Sequence, residues 1–295
     1  MGSLIAKAYP TKLFLKAADH TYVECGTGAK AWSCWGGKTN GVRIASGAGS
    51  TKRADSVAEA NERAQIPVYL VNGVCHQAAN RILTQTKIQV SNARGYWLSQ
   101  SIFGTFGKPS PYNRHLRVIG EIPACSTIKT RPTDELELST LLTEQQVANE
   151  RWLRQEHTRF IKMEGEAHTT STIFDFMKAN TQAFEASIRF RLNGLKLASS
   201  AMRGLLYAKE TVEIKHFEIS KLFLSKQIDS KKFIKLFNAM TKTFQDETSN
   251  ALSAEAYVEL FKLFPDERIV LADPAAIDLA FGDGTATAVY GDELN

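Results

Sequence analysis

Glycine is distributed unevenly along this chain, and that unevenness limits what either half can become. Thirteen of the 19 glycines fall within the first 120 of 295 residues. They gather in CGTGAKAWSCWGGKTNG, SGAGSTKR and FGTFGKP, between short apolar runs. Glycine reaches positive φ without steric cost, so this spacing reads as strands joined by tight turns. Candidate strands are KLFLKA, HTYVEC, KAWSCWG, VYLVNG and LRVIGEI, while DSVAEANERAQ, CHQAANRIL and GYWLSQSIFG read as helices.

After RPTDELELST the texture changes. Thr143 with Gln146 forms a capping-box pattern at the head of TEQQVANERWLRQEHTRFIKM. Apolar residues then recur at 173, 177, 184, 188, 192 and 195, and again at 233, 237, 240 and 244, the spacing of a helical stripe. AEAYVELFKLF extends the pattern, no fixed period points to a solenoid, and FGDGTATAVYGDELN reads as an extended tail. The expectation is an α+β protein, with a mixed domain over residues 1–130 and a helical bundle or helical arms over 131–295. The joint is placed near residues 126–142.

A chain of this length with 43 % apolar residues can bury one sizeable core or two smaller ones. Its net charge of +5 is spread thinly, with no run of five like charges, which argues against a nucleic-acid partner. No apolar run approaches the ~20 residues needed to span a bilayer. The first residues mix lysines into their apolar patches, unlike a secretory signal, and Ala6 stands where a myristoylation motif needs Ser or Thr. These features predict a cytoplasmic protein, or one exported by a route without an amino-terminal signal.

Four cysteines, at 25, 34, 75 and 125, are too few for a disulfide scaffold, and none forms a C-x-x-C pair that would suggest zinc. A Cys25–Cys34 disulfide stays open if their strands pair. The stretch YLVNGVCHQAANRIL, residues 69–83, is the most informative. A turn at Asn72-Gly73 precedes Cys75, and an alanine-rich helix follows. A cysteine attacks as thiolate, and its ordinary pKa of about 8.5 leaves little of that form at neutral pH. The positive end of a helix and a nearby imidazole both correct this.

Three histidines lie in the glycine-rich half: His20, His76 and His115. His76 is adjacent to Cys75, and successive helical side chains diverge by about 100°, so it is poorly placed as a partner. His20 opens HTYVECG, where alternation puts His20, Tyr22 and Glu24 on one face and Thr21, Val23 and Cys25 on the other. Cys34 in WSCWGG is a competing nucleophile, but GGKTNG behind it cannot sustain an activating helix. Alternation places Trp32 and Cys34 on one face and Trp35 on the other. SGAGSTKR lacks phosphate-loop spacing and reads as a surface turn.

DHTYVECG followed by NGVCHQAANRIL resembles the circularly permuted branch of the NlpC-type, papain-like superfamily, which includes lecithin:retinol acyltransferase-like proteins and bacterial thiol hydrolases. The resemblance spans roughly residues 10–120 and rests on these two motifs. It implies a permuted papain-like domain with Cys75 as nucleophile and His20 as general base, and no metal or organic cofactor. The third polar residue has no secure match; Asp19, Tyr22 and Glu24 are candidates, and Gln77 is a candidate oxyanion donor beside the backbone N–H groups of the helix start. His76 immediately after the cysteine is a departure from the pattern. The activity implied is hydrolysis or transfer at an amide, isopeptide or ester bond of a peptide, a peptidoglycan stem or an acylated substrate. The rival expectation is a non-catalytic interaction protein whose helical half binds a protein partner.

Overall fold

The computed structural model describes residues 2–10, 17–33, 37–38, 40–63, 68–108, 173–195 and 197–281. Several sequence expectations fall outside these residues: KLFLKA apart from Ala17, Cys34 with Trp35, His115, LRVIGEI, Cys125, the 126–142 joint, the Thr143 capping box and nearly all of the tail.

Four strands form one antiparallel sheet: β1 (Gly2–Pro10), β2 (Asp19–Cys25), β3 (Ala31–Trp32) and β4 (Val42–Gly49), in the order β3-β2-β1-β4. Pairing of Leu4 with Cys25, Ala6 with Val23 and Ala8 with Thr21 sets one face of the β1–β2 hairpin. Pairing of Ile5 with Glu24, Lys7 with Tyr22 and Tyr9 with His20 sets the other. Because side chains alternate, the first set enters the core, while on the other face Tyr9 Oη donates to Gly37 O at 3.0 Å and Tyr22 Oη accepts from Gly41 N–H at 3.1 Å. The first strand, Gly2–Pro10, lies wholly before the first expected one, KLFLKA, which starts at residue 12. Its Leu4-Ala6-Ala8 alternation is the reason it pairs.

Helices α1 (Thr51–Arg63), α2 (Cys75–Ile82) and α3 (Tyr96–Phe103) complete the glycine-rich part, and α2 packs on β2. SGAGSTKR is not a surface turn. Ser46–Gly49 belongs to β4 and Thr51 starts α1, because the small residues let Gly47 and Gly49 approach Ile88, Leu4 and Thr86 closely. VYLVNG is not a strand either. Val71 N and Asn72 N both donate to Val68 O at 3.1 Å, Leu70 N donates to Gly73 O at 3.0 Å, and Asn72 Oδ1 takes the Val68 N–H. The Asn72 side chain thus closes a compact turn, a role its short amide suits. Leu70, not Gly73, is the residue at positive φ (56°), at a cost of about 1–2 kcal/mol.

The helical part comprises α4 (Ile173–Arg191), α5 (Ser199–Leu224), α6 (Ser230–Ala251), α7 (Ala254–Phe261) and α8 (Pro274–Phe281). The stripe expected to run through residues 173–195 breaks at Asn193-Gly194, helix-ending residues that separate α4 from α5. Asp229 caps α6 by accepting from Lys232 N at 2.7 Å, and Ser253 caps α7 from Ala256 N at 3.2 Å. Phe233, Phe237, Met240 and Phe244 are buried, as their spacing predicts. One hydrophobic cluster runs from Leu4 and Val23 through Phe103 to Phe237 and Tyr257. Phe103 of α3 stacks on Phe237 of α6 with ring centroids 6.4 Å apart. The two textures therefore share a core. No described helix is long and apolar enough to cross a membrane.

Candidate functional site

Helix α2 begins at Cys75, where the sequence places it. Val74, at the N-cap, offers no side-chain acceptor; its own N–H is taken by Gln77 Oε1 at 3.1 Å. The other seven residues of α2 are buried, and Cys75 alone is half-buried. Its Sγ lies 3.9 Å from the Asp19 carbonyl, and the Thr21 N–H, the Thr21 hydroxyl and the His76 N–H all face the sulfur. The Thr21 hydroxyl, itself buried, makes no hydrogen bond. Burial pushes the Cys75 thiol up, and these donors oppose that only in part. At rest the group is a thiol.

Asp19 O, which faces Cys75, and Asp19 N, which donates to Arg94 O at 3.0 Å, belong to one edge of β2, where β3 no longer pairs. The nucleophile candidate thus sits against a strand edge whose Thr21 N–H is not taken by β3. His20 follows directly on Asp19, yet its ring turns elsewhere. Nε2 bonds Ser33 Oγ at 3.0 Å, and the ring lies 5.0 Å from the Tyr9 ring. The Gly37 carbonyl closes this group, accepting from Tyr9 Oη at 3.0 Å and Ser33 Oγ at 3.3 Å, beside the His20 ring. Burial lowers the His20 pKa to about 4, with the Gly37 carbonyl opposing. At neutral pH the ring is an uncharged imidazole, able to accept a proton and not paired in advance with a thiolate.

His76 is fully buried and both ring nitrogens are engaged, Nε2 with the Asp19 carbonyl at 3.0 Å and Nδ1 with Ser99 Oγ at 2.7 Å. A carbonyl only accepts, so the proton is assigned to Nε2, and Nδ1 shares the single Ser99 hydroxyl proton with the Tyr96 carbonyl, 2.8 Å from Ser99 Oγ. Burial lowers this ring too, to about 4. His76 ties α2 to β2 and α3, with both ring nitrogens held inside these contacts.

The remaining candidates also have structural partners. Asp19 Oδ2 accepts from Arg94 N at 2.9 Å, Glu24 pairs with Lys7 at 2.9 Å, and Tyr22 Oη accepts from Gly41. None of the three contacts the His20 ring through its side-chain oxygen. Gln77 does not face the thiol as an oxyanion donor would: its Nε2 donates to Gly104 O at 3.0 Å and its Oε1 serves Val74. Cys25 is a free thiol bonded to Thr27 and Lys30, not half of a disulfide. Sequence reasoning missed Tyr9, Thr21 and Ser33 as members of the site. Alternation already places Ser33 opposite core-facing Trp32, but Tyr9 joins only once β1 is recognised as a strand. Among the described residues no group of three metal-ligating side chains occurs. Compared with known protein families, curated proteins and solved structures, the chain matches none.

Proposed function

We propose that the protein is a cysteine-dependent hydrolase or acyltransferase acting on an amide or ester bond, with Cys75 as nucleophile and His20 as general base. The observation that carries this reading is the setting of Cys75 at the start of α2, the one residue of that helix that is not fully buried, with the Thr21 and His76 N–H groups facing its sulfur. Such donors favour negative charge where it develops. The order of a strand histidine first and a helix-start cysteine later supports the permuted papain-like assignment. A peptide, a peptidoglycan stem or an acylated compound presents the required carbonyl.

In this reading the His20 ring turns from Ser33 toward the sulfur, and Sγ forms a bond to the carbonyl carbon as its proton passes to His20; thiol and imidazole are both neutral at rest. The carbonyl π-bond breaks and the oxyanion is held by backbone N–H groups at the helix start and the β2 edge. His20 then returns the proton to the leaving group as the carbon–heteroatom bond breaks. Water or an amine releases the acyl group by the reverse sequence.

p-Nitrophenyl acetate tests this without knowledge of the natural substrate. The expected result is a p-nitrophenolate burst with a mass increase confined to the Cys75 peptide, lost in Cys75→Ala and slowed about 100-fold in His20→Ala. Acylation no faster than that of free cysteine, or unaffected by His20→Ala, overturns it. The interaction reading would then stand on Phe264, 65 % exposed beside a groove lined by Leu195, Val258 and Arg191.

A further inference from the structure

The turn that presents Cys75 is not held by the sheet from which the rest of the site comes. His216 of α5 is fully buried, and its Nε2 lies 2.8 Å from the Leu70 carbonyl. The carbonyl can only accept, so Nε2 carries the proton and Nδ1 accepts from Lys108 Nζ at 2.8 Å. Lys108 in turn donates its backbone N–H to Asn72 O at 2.8 Å. Gly107, at φ 87°, permits this approach: a Cβ there would lie 2.7 Å from that same oxygen. Phe103 and Phe237 flank the imidazole edge-on, with centroids 5.1 and 5.9 Å away, which fixes the ring plane. A second tie to the helical part comes from Tyr69, whose hydroxyl donates to Leu271 O at 3.2 Å and accepts from Asp273 N at 2.7 Å.

Leu70 is the strained point of this turn, a branched residue held in the left-handed region. Such a conformation persists where the surroundings over-determine it. Two carbonyls of the turn, Leu70 and Asn72, are claimed by a histidine and a lysine that also bond each other. The buried Lys209–Glu213 ion pair and Asn180, whose amide donates to Glu213 at 2.9 Å, lie on the same helices and add rigidity there. Free of these ties, Leu70 would relax and Cys75, five residues later, would shift from the Thr21 donors.

We propose that His216 is a positioning residue for the thiol: by holding the Leu70 carbonyl it fixes the left-handed turn that sets Cys75 against Thr21, so the helical part of the chain governs reactivity at the sheet. This rests on the reading of Cys75 as the nucleophile. It assigns α5 a role in the site that neither motif around His20 nor that around Cys75 contains.

Two amide substitutions separate positioning from mere packing. His216→Gln places an N–H near the Nε2 position and can still reach Leu70. His216→Asn places its amide near Nδ1, where it can serve Lys108 but falls short of Leu70. Each is compared with wild type for the acetylation rate of Cys75 by p-nitrophenyl acetate and for amide hydrogen exchange in the 69–78 peptide. The expected result is a loss of about tenfold or more in acetylation for Asn, with faster exchange at 69–78, and a rate within about threefold of wild type for Gln. Equal loss in both variants, or no loss in either, overturns the proposal. If Asn does not fold, Gln and Lys108→Met/His216→Leu decide it, the latter replacing the buried pair with apolar groups. Wild-type acetylation in that folded double variant overturns the proposal, and slowed acetylation there with Gln near wild type sustains it. If wild-type Cys75 is itself unreactive, the hydrolase reading falls, and exchange at 69–78 alone still judges the role of His216.

Discussion

Acidification should destabilise this protein well before its carboxylates are neutralised, and His76 makes the effect calculable. Its ring is fully buried, both nitrogens are engaged, and its pKa falls from 6.5 to about 4. A base whose folded-state pKa is depressed binds fewer protons folded than unfolded. Its contribution is therefore complete above pH 6.5 and is lost as pH falls toward 4. At about 1.4 kcal/mol per pH unit across that window, acidification from pH 7 to 4.5 removes about 2 kcal/mol through His76. His20, lowered to the same value by its own burial, removes a similar amount. Together about 4 kcal/mol is lost, a large part of the whole stability of many domains. Thermal melts followed by circular dichroism from pH 7.5 to 4.5 should show Tm falling by roughly 10–20 °C. His76→Gln should start lower at pH 7.5 but fall less steeply, by about one proton's worth of slope. A flat wild-type profile, or identical slopes in the two proteins, would refute the buried, neutral assignment of His76.

Two further substitutions test the packing. Lys209→Met leaves the Glu213 carboxylate buried without its ammonium partner, so chemical denaturation should show a loss of about 3–5 kcal/mol, and Lys209→Met/Glu213→Leu should recover most of it. Lys226 follows α5 at φ 57° and is exposed, so Lys226→Gly should raise stability by about 1 kcal/mol in the same assay; a loss would mean that its side chain contributes more than its backbone costs.

What could be read in advance was local. Alternation in HTYVEC fixed which face of β2 carries His20, and the apolar spacing at 233, 237, 240 and 244 marked the buried side of α6. The Asn72-Gly73 dipeptide located the start of α2, although the left-handed residue of that turn is Leu70. A leucine carries no local preference for that region. The conformation is imposed by His216, 146 residues away, which no window of sequence can register. The β-branched run of VYLVNG suits a strand, but its Leu70 and Asn72 carbonyls are held by His216 of α5 and by Lys108. The partner of His20 escaped for a related reason. Acids and phenols near it in sequence drew attention, while the contact is a serine across the sheet, at the end of the short β3.

The distance between Leu70 and His216 also sets a timetable. During synthesis Cys75 emerges long before the histidine that holds its turn, separated from Leu70 by 146 residues. At roughly 5–20 residues per second, about 7–30 s pass in which the thiol exists on a chain that cannot yet present it. Until α5 and α6 arrive, Phe103 also lacks the aromatic surface it stacks against. The sheet is thus made first and the turn beside it is fixed last, and the interval leaves Phe103 and its apolar neighbours open to whatever binds nascent chains.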